Sequence, residues 1–188
     1  YVYLQRAEEG IARLNMILTN MSEAARLEQI LQESEKEVTE LNKVVEACVA
    51  EYRQIYPGVP FKSGISKSPV TIMGTPEYIA QLMDKVVANA VDFSEPGKPV
   101  LVTCREDTGE AVITVSNNGP YLKDNMKDRI FDSMVSVRPE HMKKVPHLGM
   151  GLHIARMIAE YHGGYIYAEN LIGEQGVIVV VRLPLHTK

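Results

Sequence analysis

Leu4, Ala7, Ile11, Leu14, Leu18, Met21 and Ala25 recur at alternating spacings of three and four, the seven-residue repeat of a helix with a narrow apolar seam. The pattern predicts a coiled-coil or bundle element, although a single amphipathic helix lying on its own domain would read the same over so short a stretch, and Gly10 weakens the helix. A charged stretch, residues 32–37, ends the seam. Leu41, Val44, Val45, Cys48, Val49, Tyr52 and Ile55 then form one apolar face of a second helix, stopped by Pro57-Gly58. Beyond Pro57 the period shortens, and strands are expected around residues 60–63 and 70–73. A helix over about 76–93 follows, its proline suited to the first turn. Residues 100–105 and 111–116 alternate as two strands of a hairpin turning on Asp107-Thr108-Gly109. Residues 119–147 have no period, and a connection that long inside a compact domain is usually functional or mobile. A helix over 152–161 ends at Gly163-Gly164, and residues 165–168 and 177–183 supply the last strands.

This order predicts an α+β fold: a two-layer α/β sandwich whose mixed, largely antiparallel sheet is covered by helices, with the N-terminal helix projecting as a coiled-coil or bundle element. Residues 1–34 are expected to form that element, and residues 35–188 a domain with a mobile lid over about 119–147.

Composition narrows the class. The chain has 188 residues, 45% hydrophobic and 23% charged, enough to bury a core, and no run is long enough to span a bilayer. A formal charge of -4 offers no basic face for nucleic acid. Cys48 and Cys104 lie far apart in apolar periodic segments, so buried reduced thiols are expected and, with them, a cytoplasmic setting. The chain opens at Tyr1 without a methionine or signal-like stretch, as a piece of a longer protein would.

Three places carry candidate chemistry. On the helix over 76–93, Ile79, Leu82, Met83, Val86, Ala90 and Phe93 make the apolar face, with Lys85, Asn89 and Asp92 along one edge. The Asn89 carboxamide suits Mg²⁺, a hard cation that takes few protein oxygens; taken alone such a residue is more often a boundary asparagine with its polar atoms satisfied. Alternation puts Ile113, Val115 and Asn117 on one inward face, and Asn118-Gly119-Pro120 breaks that strand. Asn117 could pair with a base edge, with Gly119 letting backbone come close, or could be a turn asparagine. Gly149-Met150-Gly151-Leu152 opens a helix whose free N–H groups can meet a phosphate, or serves as a hinge; the spacing fits neither the Walker loop nor the Rossmann fingerprint. Lys123, Lys127, Arg129, Arg138, Lys143 and Lys144 give the long connection a cationic side, diluted by Asp124, Asp128, Asp132 and Glu140.

In this order the pieces resemble the Bergerat-type ATP-binding domain shared by histidine kinases, type II topoisomerases and the Hsp90 chaperones. Val86-Val87-Ala88-Asn89-Ala90-Val91-Asp92-Phe93-Ser94 is similar to the N box, and Val115-Ser116-Asn117-Asn118-Gly119-Pro120 to the first glycine box. Arg129-Ile130-Phe131-Asp132 is similar to the F box, and Gly149-Met150-Gly151-Leu152 with His162-Gly163-Gly164 to the second glycine box and its helix. The F box and the closing strand resemble sensor histidine kinases in particular, and residues 13–31 resemble the second helix of their dimerisation domain. The resemblance implies that Asn89 coordinates Mg²⁺, Phe93 stacks near the adenine, Asn117 bonds its amino group beside Gly119, and Gly149, Met150, Gly151 and Leu152 meet the phosphates of ATP. It further implies homodimerisation through the N-terminal helix and a response regulator as final phosphoryl acceptor. None of the family's phosphoacceptor motif occurs here: His141, His147, His153, His162 and His186 all fall in the catalytic part, so the receiving histidine is expected upstream of Tyr1 and the chain should not phosphorylate itself. Lys85 stands where the hydrolysing relatives keep a glutamate base, Asn117 replaces the usual aspartate, and Tyr121 replaces a glycine. With Asp92, these departures motivate an alternative: a degenerate nucleotide-sensing or dimerisation module without catalysis.

Overall fold

The structure, a computed structural model, describes residues 2–127, 129–132 and 150–186. The first helix, α1, runs Val2–Glu33, followed by strand β1 (Glu37–Glu40) and helix α2 (Leu41–Ile55). The charged stretch expected to separate two helices is therefore divided. Its start completes α1 and its end opens β1, which pairs antiparallel with β3 (Thr71–Gly74). Alternation hides this strand because only Thr39 is buried in it, its hydroxyl donating to Gly74 O at 3.1 Å.

Strand β2 (Phe61–Ile65), helix α3 (Pro76–Phe93), the hairpin β4 (Val100–Asp107) and β5 (Glu110–Asn117), helix α4 (Gly151–Tyr161), β6 (Tyr165–Asn170) and β7 (Val177–Pro184) complete the order. Thr108 and Gly109 adopt left-handed backbone, with φ of 52° and 80°, which closes the two-residue hairpin turn. The main sheet is five-stranded in the order β2-β4-β5-β7-β6; β2 runs parallel to β4 and every other neighbour is antiparallel. This is the α+β sandwich that the pattern predicts.

One face of the sheet, carrying Val100, Val102, Cys104, Ile113, Val115, Val179, Val181 and Leu183, packs under α2, α3 and α4. The helices answer with Val45, Val49, Ile79, Leu82, Met83, Ile154 and Ile158, all fully buried or nearly so. At ~25 cal/mol per Å² of apolar surface removed from water, this layer supplies most of the drive to fold. Cys48 and Cys104 lie in it as free thiols, and burial pushes the Cys104 thiol up to about 12. Ile55, expected on the apolar face of α2, is instead 54% exposed, because the helix ends there and the core lies behind Tyr52. Among the described residues no helix is long and apolar enough to cross a membrane.

Candidate functional site

Helix α3 is fixed by its apolar stripe, so the edge residues Lys85, Asn89 and Asp92 are placed by packing of their neighbours Val86, Val87 and Ala90. Asn89 is half-buried on that edge and Phe93 half-buried at the end of the helix. There the chain meets the end of β5. The Glu95 N–H donates to Asn118 O at 2.8 Å, and a Cβ on Gly119 would lie 2.0 Å from Phe93 O. Only glycine permits that approach.

Asn117, the last residue of β5, is 6% exposed, and its Nδ2 has no hydrogen-bond partner. Ser94 Oγ, immediately after Phe93, is the other buried side-chain polar atom left unpaired among the described residues. A buried polar group without a partner costs about 1–3 kcal/mol, so two at one junction call for an explanation. The surrounding backbone is held firmly. Asn118 Nδ2 donates to Glu174 Oε2 at 2.9 Å and Gln175 O at 3.3 Å, and a Cβ on Gly176 would stand 2.3 Å from Asn117 O. The unpaired amide thus sits in a rigid cradle.

The other end of the site is the start of α4. Met150 precedes the helix, Gly151 opens it, and no side chain caps the first turn, which leaves N–H groups and the positive end of the helix dipole for an anion. A Cβ on Gly151 would lie 3.9 Å from Lys85 Cβ, so this helix start faces α3 one turn before Asn89. Leu152 is buried and can offer only its backbone to a ligand. The F-box-like segment is fastened to the same helix: Ile130 and Phe131 are buried, His153 Nδ1 lies 3.2 Å from Phe131 O, and Arg156 meets Asp132 at 3.5 Å.

Asn89, Phe93, Asn117 and Gly119 are therefore brought together at the α3–β5 junction, and Met150, Gly151 and Leu152 beside Lys85 on the same helix. Gly149 lies outside the described residues, as do residues 133–147 of the expected lid, His141 and His147 among them. The described start of that connection is pinned. Asn170 Nδ2 donates to Leu122 O at 2.9 Å while its Oδ1 accepts from Leu122 N at 2.8 Å, and Lys127 pairs with Asp124 at 2.9 Å. Ser94 shows in the sequence only as the end of the N-box-like run and Gly176 only as the start of the closing strand, while Asn170, which ends a strand, carries no other signal. Among the described residues no cluster of His, Cys, Asp or Glu could hold a metal by itself. An ion at Asn89 would need phosphate and water to complete its shell, which is the coordination Mg²⁺ accepts.

The family described as histidine kinase-, DNA gyrase B-, and HSP90-like ATPase matches residues 74–187, from the end of β3 through the last strand. The chain belongs to this family and is an ATP-binding catalytic domain of the histidine-kinase kind. Sensor protein ChvG of Agrobacterium fabrum is 28% identical over 184 residues, 93% of this chain. Sensor histidine kinase RppB of a Synechocystis species is 26% identical over 184 residues, 97% of this chain. The chain spans 31% of the length of the first relative and 40% of the second. Among solved structures, a mycobacterial sensor histidine kinase, MprB, superposes with a TM-score of 0.69 at 20% identity, covering 81% of this chain and 99% of that one. That likeness concerns the fold.

Proposed function

We propose that this chain binds Mg·ATP along the α3 edge and holds it for γ-phosphoryl transfer to a histidine of the intact sensor kinase, from which a response regulator takes it. The observation that carries this reading is the buried Asn117 Nδ2 left without a partner beside Gly119, where the end of β5 closes on the Phe93 backbone, a polar group that a purine edge would satisfy. Asn117 and Phe93 would hold the base, and the N–H groups of Gly151 and Leu152 the phosphates. Asn89 would hold Mg²⁺, whose charge offsets the triphosphate and the nearby Asp92. In the transfer the bond from the γ-phosphorus to the ADP oxygen breaks and a phosphorus–nitrogen bond to the imidazole forms. Such a reaction needs positioning and charge stabilisation more than covalent help from the enzyme. Lys85, close to the α4 start, supplies positive charge on that edge and is no base for activating water, which favours transfer over hydrolysis.

The residues 1–34 helix is the dimerisation element in this reading, residues 35–188 are the catalytic domain, and the connection over about 119–147 closes over the phosphates. The test is transfer in trans: labelled ATP, this chain and a separate phosphoacceptor domain. Label is expected on the acceptor, and Asn89→Ala should lower the rate by on the order of 100-fold or more, as loss of a metal-holding group does. Equal rates with Asn89→Ala, or no transfer at all, would sink the proposal.

A further inference from the structure

We infer that Asn117 lets this site take purine nucleotides carrying a 6-oxo group as well as the 6-amino group of ATP. The inference rests on Asn117 being the base contact proposed above. A carboxylate in the same cradle would be acceptor only and would read a 6-amino group against a 6-oxo group. The Asn117 side chain carries one acceptor and two donors in the same outline, and a half-turn about its terminal bond exchanges them.

The surroundings leave that choice open. Asn117 is 6% exposed and its Nδ2 has no hydrogen-bond partner, so among the described residues no neighbour holds that nitrogen and thereby fixes the oxygen toward the base. The second unpaired atom at the junction, Ser94 Oγ, belongs to a hydroxyl, which likewise donates or accepts as required. Asn118, which could have imposed a polarity, is committed to Glu174 and Gln175. Adenine presents a donor at position 6 and an acceptor at N1; a 6-oxopurine presents an acceptor and a donor. The Asn117 amide matches either pair by rotating.

Inosine triphosphate is the probe, since it differs from ATP in this edge alone and adds no 2-amino group. Calorimetric titration of the chain with Mg·ATP and Mg·ITP should give dissociation constants within about tenfold of each other. Asn117→Asp should shift the ratio of the two constants by on the order of 10- to 100-fold in favour of ATP, whatever it does to nucleotide affinity as a whole, the penalty of an acceptor facing an acceptor. The wild-type ratio decides the matter even where the aspartate variant fails to fold. ATP binding with ITP weaker by 100-fold or more would overturn the inference and leave the nucleotide reading standing; failure of both nucleotides to bind would overturn that reading instead.

Discussion

His162 is held in its neutral form from both sides. Its Nε2 accepts from the Thr75 N–H at 3.1 Å, its Nδ1 donates to Ile158 O at 2.7 Å, and a Cβ on Gly74 would press within 2.8 Å of the ring. Burial, aided by the Lys36 charge, lowers its pKa below the usual 6.5. A folded pKa below the unfolded one means that the unfolded chain binds the proton more tightly. Stability from this group is complete above pH 6.5 and declines as pH falls from there through the lower folded value. Urea unfolding at pH 7.5 and 5.5 should show a lower midpoint at 5.5. His162→Gln, which cannot titrate, should flatten that difference while costing about 1–3 kcal/mol at pH 7.5. The residue was legible only as part of a His-Gly-Gly run; that its ring ties α4 to the entry of α3, 87 residues away in sequence, lies in no local pattern. By contrast, Asn117 could be placed inward from alternation alone, because the strand's period fixes its face.

At the scale of elements, helices and core strands follow from periodicity because each buries a single stripe or face, and α2, α3 and α4 begin and end within a residue or so of the pattern. What the pattern misses is held by side chains bonding across elements. Strand β1 has two glutamates in four residues, and Asn42 holds the loop before β3 by donating to Ser66 O and Ser68 O and accepting from the Val70 N–H, each at 2.7 Å. The α2–α3 contact has a similar lock: Tyr52, 2% exposed, donates to Asp84 Oδ1 at 2.6 Å, and burial with that bond holds its phenol far above the ordinary range. Tyr52→Phe keeps the ring against Phe61 and removes only the bond, so the loss should be about 1–2 kcal/mol, read as a lower urea midpoint with unchanged slope. The buried stripe of α3 holds Asn89 and Phe93 in place without that bond, so the same variant should leave nucleotide affinity within about twofold.

The whole molecule divides α1 into a docked base and a free shaft. At the base Leu27 and Leu31 are buried, Tyr161 donates to Ser34 O at 3.0 Å, and Lys36 Nζ donates to Tyr161 O at 2.6 Å near the end of α4, where a cation opposes the helix dipole. Along the shaft the heptad residues Leu4, Ile11, Leu14 and Leu18 are exposed, Leu14 at 61% and Leu18 at 65%; the Met21 side chain lies outside the described residues. The seam that reads as a partner-seeking face in the sequence is therefore uncovered by the described residues of its own chain. A second copy of the same helix offers a matching stripe. Replacing Leu14 and Leu18 together by Glu should weaken self-association by tenfold or more in sedimentation equilibrium, since four carboxylates would meet in one desolvated seam. The melting temperature of the domain should move by less than about 2 °C, because neither leucine touches its core. Self-association unchanged by the pair of substitutions would place the dimer contact on another surface, and the base of α1, with Leu27 and Leu31 already spent on the domain, would not supply it.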